Sequence, residues 1–195
     1  MQACVIVREL AAAYPVLPLP PITIACSHEH GTWPGTVSIS ARTLHLVITD
    51  IAQSLEAQGI RKLVLVNAHG GNYVLSNIVQ EANLAEPRMS LFPQGREWQR
   101  ARDRASLVSD MHGDMHAGEI ETSILLHAEP SLVQPGYETA DHDSGERPFL
   151  LMEGMRAYTD SGVIGFPSYA TAGKGKAVVA SLVEQFSLHL GILNG

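Results

Sequence analysis

Residues Lys62–Asn67, reading KLVLVN, constrain the fold more than any other stretch. A strand with one wet face alternates apolar and polar side chains. A run that is apolar at nearly every position predicts a strand covered on both faces, as in the centre of a parallel sheet. The run stops at Ala68-His69-Gly70-Gly71-Asn72, and helical spacing resumes from about Tyr73 to Asn83. A second strand near Met89–Phe92, followed by a polar helix around Glu97–Ala105, repeats the unit. Upstream, residues 2–13 read as a helix, the proline cluster 15–21 breaks it, and Ile22–Cys26 reads as a short buried strand. Residues 43–58 form an amphipathic helix that Ser40 or Thr43 caps and Gly59 ends. Downstream, 106–115 is loop and Ala117–Leu126 is helix. Residues 134–148 are an irregular polar segment, 150–158 a short helix and 162–168 loop, and Gly173–Leu193 is a closing amphipathic helix. Helices alternating with strands predict an α/β domain with a mostly parallel sheet. In such sheets ligands bind beyond the carboxyl ends of the strands.

The 195 residues suffice for one domain with a real core. A net charge of −7 with no basic run argues against nucleic-acid and anionic-membrane partners. No apolar stretch approaches the roughly 18 residues of a membrane span. Two cysteines, Cys4 and Cys26, imply no disulfide framework, and no signal peptide is evident, so the expected location is the cytoplasm.

Nine histidines are present and unevenly placed. His69 ends the central strand, where Gly70 and Gly71 let the backbone turn tightly and approach a ligand or metal. The alternative is a plain strand-to-helix turn. The stretch Asp110–Ser123 holds two Asp, two His, two Glu and one Ser. If the helix starts at Ala117, His116 and Glu121 converge at its entrance while Glu119 points elsewhere. Carboxylate oxygens with imidazole nitrogens suit Zn²⁺, Mn²⁺ or Fe²⁺. The competing reading is a helix start whose acids favour the N-terminal dipole. On an extended chain His28 and His30 share a side with Glu29 opposite, and Trp33 forms a substrate wall or a packing plug.

Together these segments resemble the creatininase (creatinine amidohydrolase) family. The resemblance rests on Ser27-His28-Glu29-His30 with Trp33-Pro34-Gly35-Thr36-Val37-Ser38, on Leu63–Asn72, and on Asp114–Ser123, in the family's order. It implies a single three-layer α/β/α domain over 1–195 and a metal-dependent hydrolase acting on non-standard, cyclic or small-molecule amide C–N bonds. It further implies two divalent metals per site, Zn, Mn or Fe, and a homo-oligomer, a hexamer in the family. By the same resemblance His69 and Glu121 ligate metal, and Glu121 and His116 are catalytic, His116 handling the proton. His28, His30 and Trp33 line the substrate, and Gly70, Gly71 and Asn72 help to hold the substrate or the loop. Gly71 stands where creatininase proper has a glutamate, so creatinine is not the expected substrate.

Family members begin with a strand and a segment of the type Glu-Gln-His-Gly-x-His-Leu-Pro, then Thr-Asp, that supplies further ligands. No such segment occurs in this sequence, so the expectation is a reduced or absent metal complement. A non-catalytic scaffold that keeps the fold is the alternative reading. A single metal at His69, Glu121 and His28 or His30 is a third.

Overall fold

The computed structural model describes residues 1–195. Seven helices surround a small parallel sheet: α1 (Gln2–Ala13), α2 (Ala41–Glu56), β1 (Leu63–Val66), α3 (Val74–Ala82), β2 (Met89–Phe92), α4 (Gly95–Ala105), α5 (Glu119–Ala128), α6 (Leu150–Glu153) and α7 (Ala172–Asn194). Strands β1 and β2 pair in parallel, with Leu63 opposite Met89 and Val66 opposite Phe92. Their side chains alternate between two helical layers. Val64, Val66 and Phe92 face a core built by α1, α4, α5 and α7 around Ile6, Ile124, Leu182 and Phe186. Leu63, Leu65 and Met89 face a second core with Leu44, Ile48, Leu75 and Ile78 from α2 and α3. The three-layer α/β/α arrangement is thus present.

The sheet is smaller than the sequence predicts. Residues Ile22–Cys26 form no strand, and Ile22 and Ile24 are exposed. Their one bond to another backbone group is the Ile39 amide on the Ala25 carbonyl at 3.0 Å, and side chains take the Cys26 amide and carbonyl. No strand lies beside them to pair with, and Pro20 and Pro21 lack the donors that extend a ladder. For the same reason β1 is half-buried throughout and not sealed as a central strand is.

Helix ends differ from expectation where a cap decides them. Ser40 is the cap of α2, its hydroxyl accepting the Thr43 amide at 3.1 Å. The fifth helix starts at Glu119 and not at Ala117, because the buried Asp114 carboxylate accepts the Glu119 and Ile120 amides at 2.6 and 3.0 Å. The 150–158 segment splits at Gly154, whose φ of 70° no helix accommodates, into α6 and a 3₁₀ turn at Met155–Ala157.

By length and composition alone α7 is a span-like helix, with a mean hydropathy of 1.3 over 18 residues, which corrects the expectation that no such stretch exists. It is the hub of the larger core, packed against α1, α4 and α5. Where it crosses α5, a Cβ on Gly175 would stand 1.9 Å from the Ser123 carbonyl oxygen. Only glycine permits that closeness.

Candidate metal centre

Strand β1 aims the chain at the functional edge of the sheet. Beyond it, the Asn67 amide side chain donates to the His69 carbonyl at 2.9 Å, and Asn72 donates to Asn67 Oδ1 at 3.0 Å, so the His69 turn is laced shut by its own asparagines. Asn72 Oδ1 also accepts the Cys26 amide at 3.1 Å, tying this turn to the segment that carries His28–His30. Both polar ends of Asn72 are therefore used by the fold. Of the two expected roles, holding the loop is the one these contacts perform.

Residues His28–His30 form a 3₁₀ turn and not an extended strand. Three residues per turn, where a strand has two, rotate the side chains out of the expected register. Glu29 and His30 point into the site together. His28 turns away, its Nδ1 lying 3.3 Å from Ser38 Oγ. The expected pairing of His28 with His30 is corrected accordingly, and Glu29, expected on the opposite side, joins His30 in the cluster.

Glu29 is the hub of the cluster. Its Oε1 lies 3.4 Å from His30 Nε2 and 3.2 Å from His69 Nε2. One donor atom from each of Glu29, His30 and His69 falls within 4.8 Å of the others. His69 Nε2 is also 2.8 Å from the Cys26 carbonyl and 3.2 Å from Ser27 Oγ. A carbonyl only accepts, so in this arrangement the ring carries a proton on Nε2, donated toward oxygen. In the other neutral tautomer, with the proton on Nδ1, the Nε2 lone pair is directed at the same cluster. Burial, and then the neighbouring His116, push the His30 pKa down. The neutral ring that this favours is the form that ligates metal. One carboxylate and two imidazoles form a donor set that suits a divalent transition metal.

His116 lies against His30 at a tilt, the ring centroids 4.7 Å apart. Its Nδ1 is 2.8 Å from the Gly162 carbonyl, and its backbone pairs with Ile164 as an isolated bridge. The neutral ring therefore carries its proton on Nδ1, leaving Nε2 free. Glu121 does not join the three-residue group. Its carboxylate accepts the amide of Ala117, a residue with φ of 55°, and so pins the turn next to His116. His69 therefore groups with Glu29 and His30 and not with Glu121, and His30 is the residue on which both His69 and Glu121 act. The His30 ring is 6.0 Å from that of His69, and the Glu121 charge acts on it as well.

The loop bearing His116 has a buried ionic frame that the sequence did not reveal. Arg102 of α4 meets Asp114 at 3.0 Å, both almost fully buried. Glu119 is completely buried, accepts the Val108 and Ser109 amides, and pairs with Lys174 at 2.5 Å. The acid-rich 110–123 stretch thus divides its labour. Asp114 and Glu119 hold the loop, and His116 faces the site. Burial raises the Asp114 pKa despite Arg102. Burial also pushes on Glu119, but Lys174 and Ser109 overcome it and hold that pKa low.

Of the remaining expected residues, Gly71 is in contact with the site through what it lacks. A Cβ there would stand 2.5 Å from both the Cys26 carbonyl and Glu29 Oε1. Gly70 has open space around it. Trp33 flanks His30 at 6.1 Å between ring centroids, with the Arg156 guanidinium 5.5 Å above its indole.

The model of the family described as creatinine amidohydrolase matches residues 1–190. A mycofactocin precursor peptide peptidase of Mycobacterium ulcerans is 33% identical over 171 residues, covering 85% of this chain and 62% of its own length. The Mycobacterium tuberculosis protein of the same description is 32% identical over 174 residues, covering 85% of this chain and 61% of its own. The chain therefore spans about three-fifths of the length of these curated relatives. A crystal structure of creatinine amidohydrolase superposes with a TM-score of 0.77 at 22% identity, over 97% of this chain and 80% of the other. A manganese creatininase gives 0.78 at 20% identity, over 97% and 81%. At such identities the superpositions establish a shared fold. Ordered motifs, fold and family model agree, and the chain belongs to the creatininase family.

Proposed function

We propose that the chain is a divalent-metal amidohydrolase in which Glu29, His30 and His69 hold the cation and His116 handles the proton. The observation that carries this reading is the convergence of one carboxylate and two imidazoles within 4.8 Å at the carboxyl end of β1. Solved manganese and zinc creatininases share the fold, in keeping with such a donor set. When bound, a metal of this kind supplies a water that is nucleophilic near neutral pH and an electrophilic pull on the scissile carbonyl.

The protein's own groups do the rest. The Gly162 carbonyl fixes the His116 tautomer and stabilises the ring once it is protonated. His116 Nε2 accepts a proton from the attacking water and returns it to the departing nitrogen. Glu121 and Asp114 keep the imidazole in place through the Ala117–Ile120 backbone. Trp33 walls the side of the site next to His30.

The substrate is an amide C–N bond. Relatives about one-third identical are described as peptide peptidases, which favours a peptide-derived amide over a small cyclic one. Gly71 agrees with a substrate other than creatinine.

The test is hydrolysis of a panel holding creatinine and blocked peptides, with the chain loaded with Zn²⁺ or Mn²⁺ and then stripped with chelator. Metal-dependent cleavage of a peptide amide is expected. His116→Ala is expected to keep metal affinity and lose about 10²- to 10⁴-fold in rate. Cleavage that survives the chelator, or a fully active His116→Ala, would overturn the reading.

A further inference from the structure

A neutral His116 accepts a proton at Nε2 only while its ring proton stays on Nδ1. The group that holds it there is the Gly162 carbonyl at 2.8 Å. Gly162 belongs to no helix or strand, and its φ of 91° lies in the left-handed region open to glycine. Its peptide groups are therefore held by side chains. The Gly162 amide donates to Thr159 Oγ1 at 3.1 Å. The next peptide, which carries the Gly162 carbonyl, is held at its other end, where the Val163 amide donates to Ser161 Oγ at 3.2 Å. Ser161 Oγ lies 3.4 Å from Thr159 Oγ1. Both peptides that meet at Gly162 are thus tied to the Thr159 hydroxyl, one directly and one through Ser161.

We propose that Thr159 is a positioning residue for His116. Through the Gly162 peptides it aims the carbonyl that keeps the imidazole proton on Nδ1 and leaves Nε2 open. Thr159 is itself fixed. It is 4% exposed, and its amide donates to the Met155 carbonyl at 3.1 Å. The carbonyl before it, of Tyr158, accepts His142 Nε2 at 2.7 Å. Across the bend, His116 and Ile164 exchange both backbone bonds at 2.9 Å, so the imidazole and its acceptor are carried by chains locked together. Ser161 is exposed, and water replaces its hydroxyl at little cost, whereas buried Thr159 has no such substitute. Residues 154–162 border the cluster elsewhere too. A Cβ on Gly154 would stand 3.0 Å from the Glu29 carbonyl oxygen, and Arg156 covers the Trp33 indole. Thr159 is the one buried polar side chain of that stretch. Its value to catalysis rests on the reading of His116 as the proton-handling group, but its effect on the ring does not.

The experiment reads the His116 tautomer by long-range ¹H–¹⁵N NMR correlation on the whole chain before Zn²⁺ is added, the ring being assigned by its loss in His116→Ala. The native ring is expected to carry its proton on Nδ1. Thr159→Val keeps the side-chain shape and removes the hydroxyl. It is expected to lower the ratio of Nδ1–H to Nε2–H forms by at least about fivefold, the ratio that one ordinary hydrogen bond supports. Thr159→Ala, which adds no bulk, is expected to give the same fall and decides the matter if the valine disturbs packing. Thr159→Ser retains the hydroxyl and is expected to restore the native ratio. In the Zn²⁺-loaded chain the valine and alanine variants are expected to lose about 10- to 100-fold in kcat with KM unchanged. A native tautomer ratio in both variants overturns the proposal, as does an equal fall in Thr159→Ser. A fall in the ratio with kcat unchanged upholds the placement of the ring by Thr159 and overturns instead the proposed role of His116.

Discussion

Replacing Gly71 by alanine separates the geometry of the cluster from the stability of the fold. Gly71 is not in the left-handed region, so the backbone tolerates a side chain, and the whole cost is steric. The new methyl would lie 2.5 Å from Glu29 Oε1 and 2.7 Å from Oε2. Ordinary contact needs about 3.5 Å, so the carboxylate must retreat by about 1 Å. Metal ligation tolerates about 0.2 Å. Glu29 is therefore driven out of ligating position while His30 and His69 remain. The expected loss is about 10- to 100-fold in Zn²⁺ affinity, or about 1.4–2.7 kcal/mol, read by competition with a chromophoric chelator. Gly70→Ala is the control, since open space surrounds that position, and it is expected to bind as the native chain does. The clash with the Cys26 carbonyl is a second, backbone effect, and a double-mutant cycle isolates it. On a Glu29→Ala background, Gly71→Ala is expected to cost little further affinity. Native affinity in the single variant, or an undiminished loss in the double, would refute the assignment of Glu29 as a ligand.

Two other predictions concern the frame that supports the site. Gly175→Ala is expected to destabilise the fold by at least 1–3 kcal/mol in urea unfolding, because the Ser123 carbonyl it would strike is backbone inside α5. Glu119→Gln is expected to cost about 3–5 kcal/mol at neutral pH by leaving Lys174 without its partner. Glu119 has a lowered pKa in the folded state, so its contribution is present above the ordinary carboxylate range and disappears as pH falls through the folded value. The gap between native and variant chains in urea midpoints should accordingly narrow on acidification. A gap that widens would contradict the sign.

The parts of the fold legible in the sequence are those set by local pattern. KLVLVN as a strand, His69 at its end, the amphipathic helix α2 and the existence of helix α7 follow from periodicity and caps, and the α/β class follows from their order. Two kinds of feature escaped. Ile22–Cys26 has a strand's composition, but a strand exists only where a neighbour supplies hydrogen bonds, and composition carries no information about that neighbour. Glu29 falls on the wrong side when a period of two is applied to residues that make a 3₁₀ turn. The available signal was Gly71, a residue without a side chain in the His69 turn, consistent with something packing close against it. Glu121 and Asp114 share a stretch of similar composition, and only burial and the position of Arg102 show which acid anchors the loop. The resemblance to the family supplied the motifs in order, while the geometry reassigned roles within them.

X-ray absorption at the zinc edge of the metal-loaded chain tests the central claim most directly. The account predicts two imidazole nitrogens at about 2.0–2.1 Å with at least one carboxylate oxygen, and one imidazole fewer in His69→Ala. A zinc environment without imidazole, or one that His69→Ala leaves unchanged, would contradict it.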